Sequence, residues 1–248
     1  MAKKRGRRVP ISFARRCMMD LMHFSQKMAS YRVSAEYTLD LKAFQKADLE
    51  ISWFAIFIKA FAQVSAKYPE LRQVLFSFPW TYLYQYQRTV AMLAIEREMD
   101  GENMVMYLKI DSPEKQSLTA IHQQIQEAKT IPIEKNLSFR RFIKFNRFPF
   151  ILRRIYWWMG YHLPYFRLHY FGTYGVTGAG RGLRSLSIQS PLGVNFVFDK
   201  KTGLFRFFWD HRLFDGVIVT AMLKDLQDAL NGPILSEFKA MRSESVLV

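Results

Sequence analysis

The stretch Trp209-Asp210-His211-Arg212-Leu213-Phe214-Asp215-Gly216, near the C-terminal end of a 248-residue chain, holds the residue types that acid–base chemistry needs. An imidazole titrates near neutrality, so His211 can take a proton from an attacking group and return it to a leaving group. Asp210 precedes it directly and Asp215 follows four residues later. From there a carboxylate can serve the ring as a triad partner, or hold the turn around it by pointing back into the fold. A histidine chosen at random is more often a plain surface or core residue, so the elements around His211 decide how far the chemical interpretation goes.

Those elements are a strand and a helix. Leu204-Phe205-Arg206-Phe207-Phe208-Trp209 is aromatic and apolar enough to lie inside a sheet. Val219, Met222, Leu223, Leu226 and Leu230 recur at helical spacing over Val217–Leu230. Gly216 opens that helix and Asn231-Gly232-Pro233 closes it. A histidine at the end of such a strand has its backbone fixed by the sheet and its ring at the strand's exit, open to substrate.

Between an apolar strand and an amphipathic helix, Asp210-His211-Arg212-Leu213-Phe214-Asp215-Gly216 resembles the catalytic signature of the acyltransferase cores of the 2-oxoacid dehydrogenase complexes and, more distantly, of chloramphenicol acetyltransferase. The family pattern is His, three residues, Asp, Gly, with Asp before and Arg after the histidine, and all five positions are present. The resemblance implies an α/β (α+β two-layer) fold, a chloramphenicol acetyltransferase-like mixed sheet covered by helices. It implies acyl transfer from a thioester, with His211 as general base and no tightly bound cofactor. Acyl-coenzyme A or an acyl carrier protein would be the co-substrate, and a thiol, hydroxyl or amine the acceptor. The family's oxyanion-stabilising hydroxyl falls on Thr177, within Phe171-Gly172-Thr173-Tyr174-Gly175-Val176-Thr177-Gly178-Ala179-Gly180. The Asn-Leu-Gly that follows it in the family is here Gly178-Ala179-Gly180, and Ser185, Ser187 and Ser190 are rival hydroxyls. Asp215 would pair with an arginine near the N-terminus, Arg15 or Arg16, and Asp210 and Gly216 would support the turn. The resemblance also implies a homotrimer in which His211 of one subunit meets the hydroxyl of its neighbour. Since the catalytic core begins almost at Met1, with no lipoyl domain before it, a stand-alone enzyme is expected.

The order of elements agrees with that family. Ser12 to about Met28 is expected as a helix with Phe13, Cys17, Leu21 and Phe24 on one stripe. A strand follows over Tyr31–Leu39, then an apolar helix over about Ile51–Tyr68. Tyr82–Glu96 alternates as a long strand, Asp100-Gly101 turns, and Met104–Ile110 returns as its hairpin partner. Ser112 to Ala128 is expected as a helix. Leu183–Gln189, Val194–Asp199 and Leu204–Trp209 are expected as strands, the last two joined by Lys200-Lys201-Thr202-Gly203. The whole divides into a basic tail at 1–10, a single catalytic domain over 11–235, and a C-terminal tail at 236–248.

Within the domain, residues 136–170 stand apart. Phe139-Arg140-Arg141-Phe142-Ile143-Lys144-Phe145-Asn146-Arg147-Phe148 and the residues after it interleave cations with aromatics, with hardly an acid. In the resembled family this link is shorter and more polar, so a greasier substrate is expected here. The stretch suits a core or oligomer contact, the lining of an acyl pocket, or an anionic membrane surface.

Composition narrows the remaining classes. Half of the residues are hydrophobic and 16% aromatic, enough for a sizeable core. A single cysteine, Cys17, excludes an internal disulfide framework, and five histidines show no metal-ligand spacing, so no metal is expected. The apolar stretches are cut by charge, at Lys59 and at Arg153-Arg154, and the basic N-terminus lacks a secretory core, so the chain is expected in the cytoplasm, at most peripheral at a membrane. A net charge of +15 calls for an acidic partner: a carrier protein, anionic lipid or coenzyme A phosphates. No nucleic-acid motif accompanies it, so nucleic acid is the least favoured. The competing expectation is a non-catalytic oligomeric module of the same fold that binds membrane or carrier, with the altered run after Thr177 as its mark of lost chemistry.

Overall fold

The computed structural model describes residues 11–29, 31–45, 51–178 and 190–245. In chain order the elements are α1 (Phe13–Ala29), β1 (Arg32–Thr38), α2 (Lys42–Gln45), α3 (Trp53–Lys67), β2 (Gln73–Phe76), β3 (Tyr82–Gln85), β4 (Val90–Met99), β5 (Glu102–Asp111) and α4 (Leu118–Thr130). After them come α5 (Leu137–Asn146), α6 (Phe150–His162), α7 (Pro164–Phe171), β6 (Tyr174–Gly178), β7 (Val194–Phe198), β8 (Leu204–Asp210), α8 (Gly216–Ala229) and α9 (Leu235–Ser245). Six strands form one mixed sheet in the order β1-β8-β7-β6-β4-β5, while β2 and β3 pair separately. β6 runs parallel to both β4 and β7, and the remaining neighbours in the large sheet are antiparallel. This is the mixed sheet covered by helices that the resemblance implies.

Side chains alternate across a strand, so each strand gives every second residue to one face. On the first face the aromatic residues of β6, β7 and β8 meet α3, which is apolar nearly all round and buried for most of its length. Phe57 stacks on Phe198 with ring centroids 4.0 Å apart, and Phe61 touches the rings of Tyr174 and Phe196 at 4.8 and 4.9 Å. The second face is covered by α1 and by α5, which packs on β5, with α6 against α1.

Turn chemistry sets the register. Asp100 and Gly101 both take positive φ (54° and 75°), the conformation a tight hairpin between β4 and β5 requires. At the β7–β8 hairpin Gly203 has φ 74°, and a Cβ there would sit 2.2 Å from the Leu39 carbonyl oxygen, so only glycine fits. Cys17 and Leu21 of the expected α1 stripe are buried, and Ser12 caps the helix by accepting from the Arg15 N–H at 3.3 Å.

Three expectations are corrected. The strand expected over Tyr82–Glu96 is two strands in two sheets. Tyr86 packs with Val74 and Phe76 in a small separate cluster, whereas Val90 enters the main sheet, and the chain must break to change sheets. The helix expected from Ser112 starts at Leu118, because β5 runs on to Asp111 and the residue before Pro113 is barred from helical geometry. The cap is Ser117, whose Oγ accepts from the Ala120 N–H at 3.1 Å. Residues 136–170 form three helices, α5–α7. The tail expected at 236–248 is helical over α9: Phe238 is buried in the core, and Glu237 pairs with Lys59 and accepts from the Leu118 N–H at 2.8 Å. The basic tail at 1–10 and the strand expected over Leu183–Gln189 lie outside the described residues.

Candidate active site

His211 ends a column of rings. Phe205, Phe207 and Trp209 lie on the α3 face of β8 and stack in succession, at 6.5 Å and then 5.7 Å between centroids. The imidazole of His211 continues the column 6.2 Å from Trp209 at an interplanar angle of 26°. Below it the column is sealed by α3; at His211 it opens, and the side chain is 52% exposed. The period of two that buries the aromatics therefore also delivers the imidazole to the exit of the strand.

The turn is clamped by its own residues. Asp210, 2% exposed, accepts from the Arg212 backbone N–H at 3.0 Å and from its Nε and Nη2 at 2.9 and 2.6 Å. This is a bidentate charge-assisted pair that fixes the backbone on both sides of His211. Trp209 Nε1 donates to the Phe214 carbonyl at 3.0 Å, the His211 N–H to the Tyr31 carbonyl at 3.0 Å, and the Asp210 N–H to the Gly193 carbonyl at 2.8 Å. The Arg212 guanidinium lies over the Tyr31 ring, 3.9 Å from its centroid. Its pKa is raised, mainly by the hydrogen bonds to Asp210.

Asp215 is 78% exposed, and its Oδ1 lies 3.6 Å from His211 Nδ1, an ion-pair distance too long for a hydrogen bond. The partner expected for it, Arg15 or Arg16, stands elsewhere. The start of α1 is tied to the far side of the sheet, where Ser12 Oγ donates to Glu102 of β5 at 2.6 Å, four strands from β8. Gly216 begins α8, and a Cβ there would meet nothing within 4 Å, so no atom of this chain demands a glycine.

Thr177 is half-buried in β6, and the register separates it from His211. It pairs with Val197, which pairs with Arg206, five residues before His211 and two strands away. At about 3.3 Å per residue and 4.8 Å per strand, the two lie roughly 16 Å apart along the strands and 10 Å across them. Thr177 also belongs to the second face, with Gly175, while His211 continues the first. One chain does not bring the two together. Of the rival hydroxyls, Ser185 and Ser187 lie outside the described residues. Ser190 instead accepts from the Leu192 N–H at 3.2 Å, in the segment leading into β7.

That segment is held by residues the sequence did not single out. Arg32, opposite Asp210 in the β1–β8 register, donates to the Ser190 carbonyl at 3.1 Å and to that of Leu192. Arg167, fully buried, donates to the Pro191 carbonyl. Burial lowers the pKa of both guanidiniums. Gly193 touches the turn closely enough that a Cβ would meet Leu213 at 2.9 Å. Arg32 is the first residue of β1, and only the strand pairing, which is absent from the sequence, marks it.

The whole architecture matches solved structures. A truncated catalytic core of the 2-oxoacid dehydrogenase multienzyme complex from Thermoplasma acidophilum is 13% identical with a TM-score of 0.62, over 92% of this chain and 99% of that one. A dihydrolipoamide acetyltransferase from Azotobacter vinelandii is 14% identical with a TM-score of 0.61, over 95% of each chain. The cubic core of the pyruvate dehydrogenase multienzyme complex is 13% identical, again with a TM-score of 0.61 over 95% of each chain. The fold is that of the 2-oxoacid dehydrogenase acyltransferase cores. In the Azotobacter vinelandii protein a serine, a histidine and an asparagine four residues after that histidine were investigated for their role in the catalytic mechanism. No family model and no curated protein matches the sequence. Among the described residues no helix is long and apolar enough to cross a membrane, and no cluster of His, Cys, Asp or Glu is placed to hold a metal ion.

Proposed function

We propose that this chain is an acyltransferase acting on an acyl thioester, with His211 as general base. The observation that carries this reading is the exposed imidazole at the head of the buried ring column, on a turn clamped by the Asp210–Arg212 pair and the Trp209–Phe214 hydrogen bond. His211 takes the proton of a thiol, hydroxyl or amine acceptor, which attacks the thioester carbonyl. The tetrahedral oxyanion accepts a hydrogen bond from Thr177, the C–S bond breaks, and His211 returns the proton to the departing thiolate. Because Thr177 and His211 of one chain lie far apart on opposite faces, the reading requires that a neighbouring subunit supply the hydroxyl. A homotrimer does so. Acyl-coenzyme A or an acidic acyl carrier protein is the donor, which the +15 charge of the chain suits.

Thiol release from a panel of acyl thioesters with pooled acceptors tests this. His211→Ala is expected to lose about 10²–10⁴ in rate and Thr177→Ala about 10²–10³. Wild-type turnover unchanged in His211→Ala would sink the mechanism.

A second reading is favoured by one surface: attachment to an anionic bilayer, with or without catalysis. Ile151 and Trp80 are each 71% exposed, and Phe150, Ile155 and Trp158 of α6 are exposed beside them. Phe78 touches Trp158 at 5.0 Å, so its loop and α6 form one apolar patch. Arg140 and Lys144 of α5 and Arg147 at its end, the cations that anionic headgroups would need, are also exposed. Flotation with phosphatidylserine vesicles at low salt is expected to carry the wild type and to leave an Ile151→Glu, Trp80→Glu variant behind. Equal flotation of both would remove this patch from any membrane contact.

A further inference from the structure

A cavity of about 470 Å³ lies on the second face of the sheet, between α1, strands β4 and β5, and helices α5–α7. Its size is that of a small-molecule site. Register explains its floor: Met92 pairs with Lys109 and Glu96 with Val105, the set of alternating residues that α3 does not cover. Its roof is the aromatic part of the three-helix region, Phe142, Phe145, Trp157 and Phe171. Ser190, Pro191 and Leu192, held from behind by Arg32 and Arg167, close one side.

The cavity is polarised. Arg15, Glu96 and Glu102 lie on its wall at the α1 end, where Ser12 already engages Glu102. Lys109, Arg141 and His169 form another corner. Arg141 has no acidic partner among the described residues, and Lys109 reaches Asp111, which Arg88 shares, only at 3.8 Å. The corner is positive enough that Lys109 and Arg141 add to burial in lowering the His169 pKa. Trp157 is buried in the roof with its indole N–H unpaired among the described residues, a donor with no acceptor. Cys17, also in the wall, has its thiol pushed up to about 12 by burial and by Asp20, so it is no nucleophile. The site is built to bind rather than to react covalently.

We propose that this cavity binds an anionic amphiphile with one aliphatic chain, its carboxylate or phosphate head at Lys109, Arg141 and His169 and its chain along the aromatic roof. Binding stands apart from catalysis. Only the use of the chain as the transferred acyl group rests on the acyl-transfer reading. Thr177 lies on the same face of the sheet, one strand from Met92, so a chain held here lies on the side of the proposed oxyanion donor.

The test is calorimetric titration of the full chain with dodecanoate, dodecyl phosphate and dodecanol below their micelle concentrations, with no turnover involved. One site is expected, with either anion bound at least tenfold tighter than the alcohol. The preferred anion separates a fatty-acid head from a phosphate head. Arg141→Glu should weaken the anions at least tenfold and leave dodecanol unchanged. Ser138→Trp, which fills the cavity from α5, should abolish all binding, and Ala14→Trp, from α1, should do the same if the first variant fails to fold. His211→Ala should bind as the wild type does, so that loss of activity and loss of binding are told apart. Dodecanol binding as tightly as the anions, or anion binding that survives a folded cavity-filling variant, would overturn the proposal.

Discussion

Two Asp–Arg pairs, each with a buried aspartate, hold two parts of this molecule, and they are opposites. Asp210 and Arg212 are two residues apart, inside the turn they stabilise, and Arg212 keeps about a third of its side chain in solvent. Asp20 and Arg153 are 133 residues apart, joining α1 to α6 at 2.8 Å, and both are almost wholly buried, at 6% and 7%. The first pair shapes a local loop whose geometry its own sequence dictates. The second fastens the three-helix region to α1 across the cavity, and nothing short of the folded chain brings its members together.

The contrast predicts unequal costs for the same lesion. Arg153→Ala strands the Asp20 carboxylate where water cannot reach it and should destabilise the chain by about 3–5 kcal/mol. Urea unfolding would show this as a lower midpoint, with amphiphile binding lost at sub-denaturing urea. Asp210→Ala lets Arg212 turn outward, but it also takes away the carboxylate whose charge favours the buried Arg32 and Arg167 guanidiniums. It removes charge-assisted hydrogen bonds and should cost about 1.5–3 kcal/mol, while lowering thioester turnover because the backbone beside His211 is freed. If Asp210→Ala proved the more destabilising of the two, the turn would be a structural keystone and its chemical role would need rethinking.

The same contrast explains what was legible in the sequence. The ring column could be read because alternation is a property of one strand: Phe205, Phe207 and Trp209 announce the face on which His211 must follow. The α1 helix, the Asp100-Gly101 turn and the β7–β8 hairpin are likewise local. Arg32 could not be read, since its position opposite Asp210 depends on a pairing between strands some 170 residues apart. The cavity could not be read either. Its floor is the unburied alternation of β4 and β5, its roof comes from residues 142–171, and its charged corner joins Lys109, Arg141 and His169 from three elements. The expectation that Asp215 meets Arg15 or Arg16 failed for the same reason: sequence order alone suggested the pairing, and the sheet puts three strands between β8 and the β5 edge that holds the start of α1. Only the cation–aromatic composition of 136–170 hinted that something lay beneath it.

Alkaline stability gives the finest probe of the difference, because the burial around the cavity leaves a titration signature. The Cys17 thiol is held at about 12 in the fold against an unfolded value of 9.0, with burial the main cause. Below pH 9 the thiol is protonated in both states and its contribution to stability is fully present. As pH rises further, the unfolded chain releases the proton while the folded chain cannot, so stability drains away up to about pH 12. Tyr161 behind the same wall, also raised to about 12 by burial, adds to the decline from its own ordinary value of 10.0. Urea midpoints at pH 8 and pH 10.5 should therefore fall less in Cys17→Ala than in wild type, even though the variant starts lower from its small packing defect. An identical fall in both would mean that the thiol meets water in solution, and that the wall of the cavity beside α1 is open rather than closed.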